Sequence, residues 1–352
     1  MSQSPPLDDL RPALDARLAA FAAAADEHMR RLLDATPLPD DLAGMLRYHL
    51  GWVDEHFRPA AAPRGKHVRP ALCLLTCEAC GADWHHALPY AAAVELVHNF
   101  SLVHDDIEDD SPLRRHRPTL WAVWGVPRAL NAGDTLLILA QAAALCAEQH
   151  DARCLAAARI LNAACRALCV GQHRDLSVAA GSEPLLADYL AMIEGKTAAL
   201  LQAAAELGAL AADAPPAAQA AYGRFGRAVG IAFQLQDDLL DVWGSAAATG
   251  KPAREDLRAR KHSLPFVLAC ERATASESAR LRSLYSGEAP LSDAAVDELV
   301  ALMERLGVRE EAERLVRCQH DAALAALHEA QPAPTSGALL QALAASLIGR
   351  QA

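Results

Sequence analysis

The chain has 352 residues, 52% of them hydrophobic but only 5% aromatic, so a core built mostly from Ala and Leu is implied, a composition that favours helices. Its formal net charge of -11 excludes a general binder of nucleic acid, which needs a broad basic surface, and leaves the basic residues local roles. Nine scattered cysteines, no secretory signal in MSQSPPLDDL and no lipidation motif at GRQA fit reduced thiols in a cytoplasmic protein.

Apolar residues recur at helical spacing in nearly every segment, and β-branched alternation is scarce, so the fold class expected is all-α. Joints rich in Pro and Gly separate the helices at 36–41, 58–65, 111–118, 181–184, 213–216, 244–252, 286–293 and 331–337. No flexible linker or fixed-period repeat divides the chain, which predicts a single domain over 1–352. The longest apolar run, LLILAQAAALCA, is shorter than the roughly 18 to 20 residues a membrane span requires, so none is expected.

In chain order, RGKHVRP brings Lys66 and Arg69 to a helix opened by Pro70, whose N-terminus is itself an anion site. Cys73, Cys77 and Cys80 follow. A zinc site would want a second matched pair, and Cys165/Cys169 is spaced differently and lies far along the chain, so the three read as small residues on a buried face.

The run VELVHNFSLVHDDIEDD keeps one helical pattern up to Ser111-Pro112, which places Asp105 and Asp109 on one face, one turn apart. Carboxylates in the last turns of a helix are disfavoured by ~0.3 to 1 kcal/mol each, so a positive partner is expected. Arg114, Arg115 and Arg117 follow directly; they suit bidentate phosphate binding, or simple neutralisation of the acidic helix end. His98 lies two turns before Asp105 on a similar face, where a lone histidine is more often satisfied in a core.

EGKT offers Lys196 and Thr197, but Leu190 stands where a P-loop needs glycine; the dipeptide reads as opening a helix at a break caused by Gly195. QLQDDLLDVWG then repeats the acidic spacing with Asp237, Asp238 and Asp241, ahead of a stop at Gly244. Hard oxygen ligands in this number suit Mg²⁺ arriving with a polyphosphate; Ca²⁺ is the rival, without an EF-hand loop to support it. Lys251 in TGKP and Lys261 in ARKHSLP follow, where solubilising and phosphate-binding roles both stand.

The ordered set GKHVRP, DDIED, LRR, EGKT, FQLQDDLLD, TGKP and RKHSLP, spanning about residues 64–265, resembles the trans-isoprenyl diphosphate synthases, which include farnesyl and geranylgeranyl diphosphate synthases. The resemblance implies a class I isoprenoid synthase helical bundle around a central cavity, with the two aspartate motifs facing each other at its mouth. It implies that Asp105, Asp106 and Asp109, with Asp237 and Asp241, hold three Mg²⁺ on an allylic diphosphate, and that Asp238 and Lys196 complete the catalytic set. Arg114, Lys196, Thr197, Gln234, Lys251 and Lys261 would contact that diphosphate. Lys66, Arg69, His98 and Arg115 would hold isopentenyl diphosphate.

Phe100 and Ser101, five and four residues before Asp105, fall at the family's chain-length positions: the resemblance implies that Phe100 floors a product of fifteen or twenty carbons and that small Ser101 argues against the tightest floor, while an aromatic at this spacing also reads as ordinary core packing. A homodimer is likewise implied. The rivals are a class I terpene cyclase, which usually lacks an intact second DDxxD, and a silent partner subunit, which would have lost aspartates. Three departures stand out: Arg64-Gly65 and His67 around the first lysine, His116 in place of the glycine after LRR, and Arg260 in place of the glycine before Lys261.

Overall fold

A computed structural model of the chain describes residues 7–60, 65, 67–145, 151–177, 184–244, 254–287 and 289–348. Lys66 and Lys251, and Arg64 with them, lie outside these. The fold is all-α, as the periodicity requires. The described helices are α1 (Leu7–Ala35), α2 (Asp40–His49), α3 (Val68–Ala79), α4 (Leu88–Glu108), α5 (Leu120–Trp124), α6 (Val126–Leu145), α7 (Asp151–Leu176), α8 (Leu186–Ile193), α9 (Ala199–Ala211) and α10 (Pro216–Trp243). They continue with α11 (Glu255–Arg258), α12 (Leu264–Arg272), α13 (Ala275–Tyr285), α14 (Asp293–Arg305), α15 (Val308–Ala330) and α16 (Pro334–Ile348). A two-residue hairpin, β1 (Leu113–Arg114) with β2 (Arg117–Pro118), is the one sheet among the described residues.

By its contacts the chain forms two compact units, residues 1–165, 203–223 and 331–340, and residues 166–202, 224–330 and 341–352. In the first, α4 is the central element. Ala91, Ala92, Ala93 and Val94 are all fully buried, which on a helix of 3.6 residues per turn means burial on every side. Its small residues let α6 lie along it, with α1 and α3 on other faces. In the second unit, Leu235, Leu239 and Val242 of α10 pack with Tyr189, Ile193, Leu264, Val267, Leu299 and Met303 in a continuous apolar core.

Three boundaries differ from the sequence expectation. Helix α3 begins at Val68, so Arg69 sits inside its first turn, after His67 has turned the chain through a left-handed conformation at φ 46°. Helix α4 ends at Glu108, with Asp109 as its cap and Asp110 at φ 49°. The expected break at Gly195 is instead a π turn, Glu194–Ala198, that joins α8 to α9 without interruption. A Cβ on Gly195 would lie 2.6 Å from the Ala167 carbonyl oxygen, and one on Gly171 would lie 2.2 Å from the Lys196 nitrogen. The glycines therefore serve a backbone-to-backbone crossing with α7, and single π turns of this kind occur often at functional sites.

One helix among the described residues, Ala152–Leu176, is long and apolar enough to cross a membrane, a feature that counting unbroken apolar runs overlooked. It carries exposed Arg159 and Arg166, each costing about 2.5 to 3.5 kcal/mol at a bilayer centre.

Candidate active site

The first acidic cluster is assembled by the end of α4 and the hairpin after it. Asp109 caps the helix by donating its backbone N–H to the Asp105 carbonyl at 2.9 Å. The Asp106 carbonyl accepts the Trp121 indole N–H at 2.8 Å and the Ser111 amide at 2.9 Å, so the orphan carbonyls of the last turn are partly satisfied. Trp121 was not singled out in the sequence; an indole capping a helix fifteen residues earlier has no local signature.

The two adjacent aspartates differ in environment. Asp106 is only 2% exposed, while Asp105 is partly exposed and Asp109 exposed. Arg114 Nε donates to Asp106 Oδ1 at 2.6 Å, and Arg114 Nη2 reaches Asp105 Oδ2 at 3.4 Å. Burial pushes the Asp106 carboxyl up to about 6 in spite of that arginine. The positive partner required at the helix end is thus Arg114.

Hairpin geometry directs the arginines apart. Arg115 and His116 both lie at positive φ, 52° and 63°, the two central positions of the mirror-image turn that matches strand twist. Arg114 consequently faces the aspartates, while Arg117 stacks over the Tyr48 ring at 4.1 Å and donates to the Val53 carbonyl at 2.9 Å. His116 occupies a conformation that glycine adopts at no steric cost, so His116→Gly is expected to stabilise the protein by about 1 kcal/mol, read as a higher urea midpoint.

Arg115 turns towards the start of α3. Its Nη2 would be 2.7 Å from a Cβ on Gly65, so a side chain there would displace the Arg115 guanidinium. Arg69, His98 and His49 complete a basic nest. Burial, then Arg69, Arg115 and Arg114, hold the His98 imidazole well below its ordinary range. His49, which sequence reasoning missed, is lowered to about 3 by burial first and then by Arg115 and Arg114, and its Nε2 has no hydrogen-bond partner among the described residues. Arg69 Nε is also enclosed without a partner among the described residues. Glu95, 5% exposed, is the counter-charge: it lies 3.4 Å from His67 Nδ1, accepts from Asn99 at 3.3 Å and opposes the lowering of Arg69 and Arg115. A cavity beside this nest is lined by His49, Asp106, Arg114 and Arg115. Phe100 is buried with its ring edge-on to His104 at 4.7 Å, and the Ser101 hydroxyl donates to the His98 carbonyl.

The second unit gathers the remaining residues. Lys196 Nζ lies 2.6 Å from Asp175 Oδ2, and Thr197 Oγ1 donates to Gln234 Oε1 at 2.9 Å. Gln234 Nε2 donates to Asp238 Oδ1 at 2.8 Å, one turn along α10. Asp237 is exposed and Asp238 is 6% exposed, the same outward and inward alternation as at Asp105 and Asp106. Asp241 accepts the Asp256 amide at 3.2 Å; burial first, then the Asp256 charge, raise its carboxyl to about 7. Lys261 Nζ pairs with Asp256 at 3.1 Å. Asp175 and Asp256 are further acids that motif reading missed. Arg260 stands at φ 54°, another left-handed position where glycine was the expected residue, and its Nε donates to the Leu284 carbonyl at 2.7 Å.

No three carboxylates, histidines or cysteines among the described residues form a ready metal cage. Asp105 and Asp109 in the first unit, and Asp237 and Asp241 in the second, are each a pair of exposed or partly exposed carboxylates, the oxygen-donor chemistry that suits Mg²⁺, which binds through one or two carboxylates together with substrate phosphates.

Comparison with known proteins agrees with this chemistry. The polyprenyl synthetase family model matches residues 51–303. The chain is 45% identical over 277 residues to the (2E,6E)-farnesyl diphosphate synthase of Mycobacterium tuberculosis, covering 78% of this chain and 76% of that one. It is 42% identical over 303 residues to the geranylgeranyl diphosphate synthase of the same organism, covering 86% of each. A crystal structure of a polyprenyl synthetase from Streptomyces coelicolor A3(2) superposes with a TM-score of 0.89 at 35% identity, covering 95% of this chain and 99% of that one. With a family match over most of its length, and with acidic helix ends served by arginine and lysine, the chain belongs to the polyprenyl synthetase family.

Proposed function

We infer that this prenyltransferase condenses isopentenyl diphosphate with an allylic diphosphate, dimethylallyl, geranyl or farnesyl, to give a short all-trans product, farnesyl or geranylgeranyl diphosphate. The observation that carries the reading is the likeness, at 45% and 42% identity, to synthases of those two products. Those names favour prenyl transfer over cyclisation, and intact aspartates at 105, 106, 109, 237, 238 and 241 speak against a silent subunit.

Asp105, Asp106 and Asp109, with Asp237 and Asp241, would hold three Mg²⁺, which would supply Lewis-acid stabilisation of the diphosphate. Arg114, Lys196, Lys251 and Lys261 bring fixed positive charge to the leaving diphosphate as the allylic C–O bond breaks. Arg114 and Lys196 already hold carboxylate partners, so the diphosphate exchanges one anion for another at each. Lys66, Arg69, His98 and Arg115 anchor isopentenyl diphosphate so that its double bond attacks the allylic cation, and a proton then passes to the departing diphosphate. Arg69 Nε and His49 Nε2, enclosed and without a partner among the described residues, support an anion site at this nest. Water must be excluded, because it would quench the cation.

Incubation with radiolabelled isopentenyl diphosphate, each allylic primer and Mg²⁺ should yield elongated product; no incorporation with any primer would remove this reading. Phe100→Ala should shift the product to a longer chain on reverse-phase chromatography, because it removes a buried ring at the proposed floor. An unchanged product would retire that role. The chain acts in the cytoplasm as one polyprenyl synthetase domain and self-associates as a homodimer. Exposed Val126, Leu130, Ile138 and Leu145 on α6 support self-association, and sedimentation should return twice the chain mass.

A further inference from the structure

The second acidic motif contains a carboxylate that faces away from solvent. Asp238 Oδ2 accepts the Tyr189 hydroxyl at 2.7 Å and the Leu264 amide at 2.8 Å, while Oδ1 accepts Gln234 Nε2 at 2.8 Å. Three donors occupy the Asp238 carboxylate, against the one that Arg114 places on buried Asp106, so Asp238 is a poorer seat for a hydrated metal ion than either Asp106 or exposed Asp237. The same bonds settle the Gln234 amide: its nitrogen must face Asp238, so its oxygen faces the Thr197 hydroxyl, as observed at 2.9 Å. The Leu264 amide opens α12 directly after Lys261, His262 and Ser263. Tyr189 itself comes from α8, immediately before the π turn that carries Lys196 and Thr197.

We propose that Tyr189 is a positioning residue for the allylic diphosphate, acting through Asp238 to orient Gln234 and Thr197 and to hold the backbone that follows Lys261. The proposal rests on the function inferred above and extends it: Asp238 organises the diphosphate ligands rather than binding metal. Tyr189 is 5% exposed, so its hydroxyl reaches the site only through Asp238. Without that hydroxyl, Asp238 Oδ2 keeps the amide alone, so the carboxylate that holds Gln234 through Oδ1 loses one of its two anchors on the other oxygen.

The test compares Tyr189→Phe, Asp238→Asn and Asp237→Asn with wild type. Tyr189→Phe is expected to raise the allylic KM about tenfold, the scale of one buried hydrogen bond to a charged group, and to leave the isopentenyl diphosphate KM and the Mg²⁺ half-saturation within about twofold. Asp238→Asn should show the same split more strongly, whereas Asp237→Asn should raise the Mg²⁺ half-saturation. Both Tyr189→Phe and Asp238→Asn should also speed hydrogen exchange of the Leu264 amide in EDTA and weaken calorimetric binding of inorganic pyrophosphate with Mg²⁺.

A wild-type allylic KM and pyrophosphate affinity in Tyr189→Phe would overturn the proposal. So would a rise in Mg²⁺ half-saturation in Asp238→Asn matching that of Asp237→Asn. If Asp238→Asn fails to fold, Tyr189→Phe decides alone. Absence of turnover in wild type would sink the functional reading, while exchange and pyrophosphate binding would still judge Tyr189.

Discussion

Replacing Asp105 or Asp237 with Ala is expected to lower turnover on the order of a thousandfold, the scale of losing one anchor of transition-state charge. Folding should hardly change. Asp105 is partly exposed and Asp237 exposed, and both lie in the last two turns of their helices, where the dipole disfavours a carboxylate. Each substitution therefore removes a mildly unfavourable charge from the protein and a needed one from the reaction. Steady-state turnover beside urea denaturation measures both effects, and full activity in either variant would contradict the metal assignment.

Arg114→Ala should act on stability as well as on activity. Asp106 would keep a carboxylate buried to 2% with no cation on it, and breaking such a pair typically costs 3 to 5 kcal/mol in the interior. Arg114 is 31% exposed, so about 2 kcal/mol is the expected loss at pH 7.

The pH dependence follows from the direction of the Asp106 shift. Its folded value, raised by burial to about 6, lies above the unfolded value of 3.8, so the folded state retains a proton that the unfolded state releases. The Asp106 contribution to stability is therefore greatest below about pH 4 and declines as pH rises to about 6. Without Arg114 the decline should continue to higher pH. Asp106→Asn in the same background should recover most of the loss and flatten the profile. Urea midpoints from pH 4 to 8 in EDTA give the whole cycle, and additive single-variant effects would show that the two side chains do not interact.

Much of this site was legible because its features are local. A DDxxD spacing needs only 3.6 residues per turn to put two acids on one face, and Ser111-Pro112 is enough to announce that α4 must stop. The order of basic motifs was equally plain. What stayed hidden was the role of each member: nothing in DDIED or DDLLD separates Asp105 from Asp106, or Asp237 from Asp238. The glycine departures had the same character. His116 and Arg260 stood out only as departures from the family's glycines, and both residues adopt the left-handed conformation that glycine would have supplied.

By itself the sequence determined a helical chain with two acidic helix ends and a fixed order of basic motifs, because helix periodicity, proline breaks and charge spacing act over a few residues. Only the tertiary structure decided which carboxylates face solvent, that Arg114 sits on Asp106, that Trp121 caps α4, and that Tyr189 and the Leu264 amide claim Asp238. Those choices join residues 8 to 49 positions apart. They follow from where neighbouring helices and turns bring donors to a buried oxygen, and an unpaired buried charge costs too much for any other arrangement to persist.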